Sequence, residues 1–374
     1  MIYLDSAATS MQKPASVPEA AFRATRTMAS PGRGGHEPAM RAADTVFRCR
    51  CALAEMLGAD EPEQVVFTMN ATHALNIAIG SMVSPGDRVV VSGFEHNAVT
   101  RALRLFGAEI VVARSPLFEP EAAVRAFSRS IPGAKLVVCT HVSNVFGYIL
   151  PIQEIAGLCA EYGVPLIVDA SQSAGVLPVD AAGLNAAFVA MPGHKGLLGP
   201  QGTGVLVCRA PAKPLMAGGT GSESRNQDMP ETLPDRLEAG THNVAGIAGL
   251  LAGTKYVSAR GTGRIEVHER RLMRMMAGEL SAVPGLTVYA SPDPGCQSGV
   301  LSVRHNGVDC EELAAELGRR GVAVRAGLHC APFAHETAGT LQTGTVRYSF
   351  SPFNTESEIR SAANITKAAI AALK

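Results

Sequence analysis

The sequence predicts an α/β protein, built on a mostly parallel seven-stranded sheet covered by helices, with a smaller α+β domain beside it. Three observations carry this expectation. Seven short runs are rich in β-branched residues: VVFTM (65–69), RVVVSG (88–93), EIVVA (109–113), KLVVCTHV (135–142), PLIVDAS (165–171), AFVAM (187–191) and TGVLV (203–207). They are continuously apolar rather than alternating, as strands covered on both faces are. Helical patterns separate several of them, and strands alternating with helices form a parallel sheet with helices on its faces. After about residue 250 the pattern changes, which marks the second domain.

In chain order, AADTVFRCRCALAEMLG leads into the first strand as a helix, with Val46, Leu53 and Leu57 on one face and Gly58 as its stop. A long amphipathic helix is expected over roughly 254–282. It is followed by LTVYA, GVLSVRH, the helix DCEELAAELGRRG, VAVRAG, TVRYSFS and a last helix from Thr355. Asp309 with Glu312, and Thr355 with Glu358, have capping-box spacing. The expected division is a large domain over 20–250 and a small one formed by 1–19 and 251–374. No internal repeat or low-complexity segment interrupts it.

Composition excludes several classes. A chain of 374 residues, 47% apolar, can bury a large core. Its 33 basic and 33 acidic residues balance, and no basic run marks a nucleic-acid or anionic-membrane surface. MIYLDSAATS lacks the basic start and apolar run of a secretory signal, so a cytoplasmic protein with no membrane partner is expected. The eight cysteines include no C-x-x-C pair, and Cys49 and Cys51 point apart on their helix, so most are expected to be reduced and buried. Neither a metal-ligand spacing nor a G-x-x-x-x-G-K-[ST] phosphate loop is present.

The chemistry concentrates at one rim. In open parallel sheets ligands sit beyond the carboxyl ends of the strands, where this chain places Thr72, His96, Asn144, Asp169, Gln172, His194 and Lys195. A lone loop lysine is usually solvated. Lys195, in MPGHKGLLGPQGTGVLV, instead follows an apolar strand directly and keeps this company. Such a lysine can form a Schiff base with a carbonyl cofactor. Pyridoxal phosphate needs a lysine for its aldehyde, a carboxylate for its ring nitrogen, a flat group against the ring and donors for its phosphate. Lys195, Asp169 and His96 offer the first three, and MNATHALNIAIG supplies Thr72 at an expected helix start, whose free N–H groups suit the phosphate.

An ordered set of stretches, YLDSAATS, FEHNAV, THVSNVFG, VDASQSAG, GHKGLLGPQGTG, LEAGTHN, VRAGLHCAP and VRYSFSPFNT, runs from residue 3 to residue 355. It resembles the cysteine desulfurases of the class V aminotransferase superfamily, in the branch that includes selenocysteine lyases. The resemblance implies a fold-type I pyridoxal phosphate enzyme, homodimeric, with its sites at the subunit interface. By motif position it implies Lys195 as the Schiff-base lysine, Asp169 at the pyridine nitrogen, Gln172 at the phenolic oxygen and His96 stacked on the ring. It further implies Ala71, Thr72 and His194 at the phosphate, Thr241 reaching the phosphate of the other subunit, and Asn144 beside the ring and substrate. Arg347, with Arg325 nearby, would bind the substrate carboxylate. Cys330, on a short loop like that of the second type of desulfurase, would accept sulfur from L-cysteine as a persulfide, release alanine and pass the sulfur to an acceptor protein.

Two positions depart from the family pattern. Pro192 stands where relatives often have a phosphate-binding serine, and Leu328 where many have a histidine. The expected function is a cysteine desulfurase; the alternatives are a selenocysteine lyase, a C–S lyase acting on cystine or a related sulfur amino acid and releasing pyruvate, and a catalytically idle sulfur-carrier scaffold. The last would need none of Lys195, Asp169, His96, Arg347 and Cys330.

Overall fold

The computed structural model describes residues 1–32 and 34–374. The strands are β1 (Ile2–Tyr3), β2 (Val65–Thr68), β3 (Arg88–Ser92), β4 (Glu109–Ala113), β5 (Leu136–Thr140), β6 (Leu166–Asp169), β7 (Phe188–Pro192), β8 (Gly204–Cys208), β9 (Leu286–Tyr289), β10 (Val300–His305), β11 (Val322–Ala323), β12 (Arg325–Gly327) and β13 (Thr345–Ser349). The helices are α1 (Ser16–Thr27), α2 (Glu37–Leu57), α3 (Ala71–Met82), α4 (Asn97–Leu105), α5 (Pro120–Ser130), α6 (Ile152–Glu161), α7 (Val244–Arg260), α8 (Thr262–Ser281), α9 (Cys310–Arg319), α10 (Pro332–Thr337) and α11 (Glu356–Leu373).

All seven runs of β-branched residues become strands of one sheet, in the order β2-β8-β7-β6-β5-β3-β4. β4, β3, β5, β6 and β7 are parallel neighbours, while β8 runs antiparallel to both β7 and β2. Their continuous apolar character is explained by helices on both faces: β5, β6, β7 and β8 are buried at every position. Two hydrophobic clusters follow. Val90, Val137, Val168 and Val189 pack with Leu53 and Leu57 on one face, and Val89, Val138, Ile167 and Phe188 pack with Leu75 and Leu103 on the other. β4 lies on one side of β3 and β5 on the other. The chain therefore reverses its direction of winding between β3 and β5, which opens a crevice at their carboxyl ends.

Gly58 stops α2 as expected, with φ +61°, and a Cβ there would lie 2.2 Å from Asp180 Oδ1. The single helix expected over 254–282 is corrected to two. Gly261, at φ +82°, breaks it into α7 and α8, a conformation that glycine reaches without the Cβ penalty. Val257 before the break and Ile265 after it are buried in the same cluster, so apolar positions continue at helical spacing through the break. Thr355 and Glu358 form the reciprocal capping box, and Asp309 caps α9 by accepting from the N–H groups of Glu311 and Glu312.

The C-terminal elements build the four-stranded antiparallel sheet β12-β13-β10-β9. Its core joins Leu301, Val303 and Tyr348 to Leu272, Leu313 and Ile359 from the covering helices, with Leu4 from the N-terminus. β1 pairs in parallel with β11, and Asp5 bridges to Ser349, so the N-terminal segment is tied to this sheet.

One ion pair is buried between distant parts of the chain. Arg50 on α2 forks onto both carboxylate oxygens of Glu238, which also accepts from Phe67 N at 2.6 Å and contacts His242. Burial alone would raise the Glu238 pKa, but the hydrogen bonds from His242 and Arg50 outweigh it and hold the carboxyl below its ordinary value. The stability this contributes is complete above the ordinary carboxylate pKa and lost as pH falls through the lower folded one. Glu238→Ala would strand the Arg50 guanidinium, so a loss of about 3–5 kcal/mol is expected, read as the shift in urea midpoint.

Candidate active site

The strand register brings the chemistry together. Thr140 pairs with Asp169, and Asp169 with Ala190, so the carboxyl ends of β5, β6 and β7 are level. Just beyond them a cavity of about 110 Å³ is lined by Ala71, Thr72, His96, Asn144, Asp169, Gln172, His194 and Lys195, together with Thr140, Ser171 and Pro192. Eight of the twelve residues singled out in the sequence therefore share one cavity. His96, after β3, and Thr140, at the end of β5, are part of its lining, which puts it beside the point where the winding reverses.

Each wall has a local cause. Asn70 caps α3 by accepting from His73 N at 2.9 Å, which leaves the N–H groups of the first turn, at Ala71 and Thr72, at the cavity. His96 caps α4: its Nδ1 accepts from Ala98 N at 3.0 Å. Burial lowers its pKa to about 4, against a smaller opposing effect of Asp169, so the ring is neutral at pH 7. A neutral ring that accepts at Nδ1 carries its hydrogen at Nε2. While the cap holds, His96 is a donor at Nε2 and not a base. A catalytic role for His96, as the group that takes up the substrate thiol's proton while Cys330 attacks, is also expected from the sequence; with the ring held as a cap, that role requires the cap to open.

Asp169 is buried and holds the turn after β6 by accepting from Ser171 N at 2.9 Å. Gln172 donates to Ala7 O at 3.0 Å, and His194 Nδ1 lies 3.0 Å from Thr9 Oγ1, so the N-terminal segment closes this side. Lys195 retains some surface in the cavity and is otherwise enclosed by protein. Desolvation lowers its pKa to about 8, with Asp169 pulling the other way. About a tenth of the amine is thus uncharged at pH 7, far more than for an ordinary lysine. Pro192 lines the cavity with neither hydroxyl nor N–H.

The other four residues lie outside that lining. Arg325 and Arg347 are cross-strand partners on β12 and β13. Arg325 is exposed, whereas Arg347 is 2% exposed and donates to Asp5 Oδ1 at 2.8 Å and to Asn144 O at 2.9 Å. Its Nε is buried with no partner among the described residues. Thr241 is exposed and lines a different cavity, of about 210 Å³, with Met69, His73, Thr203 and Glu238. Cys330 is the one exposed cysteine of eight, in the turn between β12 and α10, and it shares a surface groove with His96, Thr72 and Arg101.

Several participants carried no assignment in the sequence. Asp5 lies inside YLDSAATS, yet its contact with Arg347 spans 342 positions and leaves no local signal. Glu95 is fully buried beside His96, accepts from Thr140 N at 2.8 Å, and has its pKa raised to about 8 by burial. His329 is buried, with its ring Nε2 3.2 Å from Thr345 O and its pKa lowered by burial to about 2, so it is a neutral packing group. Glu95 adjoins His96 in FEHNAV, but its bond to Thr140 spans 45 positions and leaves no local signal.

Among the described residues no helix is long and apolar enough to cross a membrane, and no group of three His, Cys, Asp or Glu side chains could hold a metal ion. The Aminotransferase class-V family profile matches residues 2–361. A probable cysteine desulfurase of Methanothermobacter thermautotrophicus is 34% identical over 375 aligned residues, covering 96% of this chain and 92% of the relative. The apo structure of a cysteine desulfurase from Thermococcus onnurineus superposes with a TM-score of 0.90 at 30% identity, covering 100% of this chain and 95% of that one. The cysteine desulfurase CsdA from Escherichia coli, solved in an S-sulfonic acid form, gives a TM-score of 0.88 at 28% identity with the same coverage. Strand order, cavity and relatives agree: the chain belongs to the class-V aminotransferase family, in its cysteine desulfurase branch.

Proposed function

We propose that the chain is a pyridoxal phosphate-dependent cysteine desulfurase that converts L-cysteine to L-alanine and holds the sulfur on Cys330. The observation that supports this most is the single cavity shared by Lys195, Asp169, His96 and the start of α3. That donor set fits the cofactor: an amine of lowered pKa for the aldehyde, a buried carboxylate for the ring nitrogen, a flat neutral ring, and helix-start N–H groups with Thr72 and His194 for the phosphate. Gln172 lies beside them for the phenolic oxygen. Pro192 removes one phosphate donor, which leaves more of that work to the α3 turn. Thr241, outside this chain's cavity, would serve the site of a second copy in a homodimer.

When bound, pyridoxal phosphate supplies an electron-accepting ring conjugated to the substrate amine. The chain supplies the rest. Arg347 takes the substrate carboxylate with its buried guanidinium, Asp5 and Asn144 O holding that group in place. The Lys195 amine, once free, removes the α-proton, and Asp169 keeps a proton on the ring nitrogen. The thiolate of Cys330 then attacks the substrate sulfur: the Sγ–S bond forms and the Cβ–S bond breaks. The electron pair stays with the carbon skeleton, which takes up protons to become alanine.

The test incubates the protein with L-cysteine, L-selenocysteine and L-cystine in parallel and measures alanine against pyruvate. Alanine from cysteine is expected. Pyruvate as the main product would make the protein a C–S lyase. Hydrogen bonds to charged groups are worth about 1.5–3 kcal/mol, so Arg347→Ala is expected to lower kcat/KM for cysteine about tenfold to a hundredfold. Arg347→Lys should restore it only in part, since an ammonium cannot present a planar fork. An unchanged kcat/KM in Arg347→Ala would assign the carboxylate to another residue.

A further inference from the structure

We infer that Asn144 is a positioning residue that couples the Lys195 cavity to the Cys330 loop. The inference deepens the reading above and rests on it for the role of Cys330. His329 and Cys330 occupy the left-handed region consecutively, at φ +49° and +56°. Neither is glycine, and each such residue costs energy that its surroundings must offset. Besides the His329 Nε2 contact with Thr345, three contacts hold them. Asn144 Nδ2 donates to His329 O at 2.8 Å, Asn97 N donates to Cys330 O at 2.7 Å, and the His329 ring packs on His335 with centroids 5.8 Å apart.

Only one of these anchoring side chains also lines the cavity that holds Lys195 and Asp169, and it is Asn144. Its backbone carbonyl is fixed by Arg347 Nη1 at 2.9 Å, so the planar side-chain amide can reach into the cavity only by turning away from the His329 carbonyl. A molecule that draws the Asn144 amide toward the cavity loosens the His329 carbonyl. One that leaves it in place keeps the strained pair, and with it the Cys330 thiol, in a single position. Asn144 thus transmits the state of the cavity to the nucleophile without touching the thiol itself.

The test uses two variants of the full chain carrying its cofactor. Asn144→Ala removes the donor, and Asn144→Asp keeps the shape while replacing the N–H donor with an oxygen. Backbone amide exchange over residues 328–331 and iodoacetamide alkylation of Cys330, resolved by peptide mapping, read the loop directly. Both variants are expected to exchange about threefold to tenfold faster there, the size of one lost hydrogen bond, with peptides from β5 and β6 unchanged and alkylation of Cys330 altered. Unchanged exchange over 328–331 in both variants overturns the coupling, as does an equal rise throughout β5 and β6. Exchange reads the loop whether or not Cys330 carries sulfur. A loosened loop in a protein that forms no persulfide would overturn the proposed reaction and leave the coupling standing.

Discussion

Lys195→Ala is expected to abolish turnover of cysteine and to leave no lysine that borohydride can fix to the cofactor. Removing a positioned proton-transfer group alone costs about a hundredfold to ten-thousandfold. Lys195 is assigned two roles, attachment and proton removal, so the loss should reach the upper end. In the unaltered chain, borohydride reduction followed by peptide mapping should label position 195. A label on any other lysine would overturn the assignment, because it is Lys195 that shares the cavity with Asp169 and His96.

The same residue gives a pH signature in the free chain. Burial lowers the Lys195 pKa from 10.5 to about 8. Between those values the unfolded state binds more protons than the folded one, so this lysine makes stability rise as pH increases from about 8 to 10.5. Below about 8 both states are protonated and the slope vanishes. Lys195→Ala should therefore flatten the rise in urea midpoint across that window. A rise of the same size in the variant would mean that the amine is not desolvated by its enclosure.

How far the sequence reached depends on whether each signal was local. The seven strand runs were legible because burial on both faces leaves an apolar run that needs no partner to be recognised. Strand ends then fixed where His96, Asn144, Asp169, Gln172, His194 and Lys195 would meet, since a parallel sheet levels its carboxyl edges. The break at Gly261 was not legible, because α7 and α8 continue one apolar periodicity on either side of it. Asp5 and Glu95 were also hidden. Asp5 meets Arg347 across almost the whole chain, and the role of Glu95 is its contact with Thr140 N on β5, neither of which leaves a spacing to read. His96 shows a different limit: its residue type suggested acid–base work, while its use as a helix cap makes it a donor.

Cys330→Ser is the second large effect, and it separates sulfur transfer from every other step. Cys330 is exposed in its turn while six of the other cysteines are buried and Cys51 is partly so, which leaves it the most accessible thiol in the chain. Burial drives several of the others away from thiolate character, with Cys49 above the range of useful nucleophiles and Cys159 and Cys208 raised to about 12. A serine at 330 keeps the size of the side chain and the backbone bond to Asn97 N, so the loop should hold its position. Borohydride labelling of Lys195 is expected to be unaffected, because the thiol takes no part in it. Persulfide after a brief exposure to cysteine, read by mass spectrometry of the intact protein, should be absent, and alanine release from cysteine should fall at least about a hundredfold. Selenocysteine sharpens the contrast: selenium is a better leaving atom and can depart without a thiolate to receive it, so alanine release from selenocysteine should persist in the variant. A normal alanine rate from cysteine, or a persulfide on another of the eight cysteines, would remove Cys330 from the mechanism and leave the Lys195 assignment untouched.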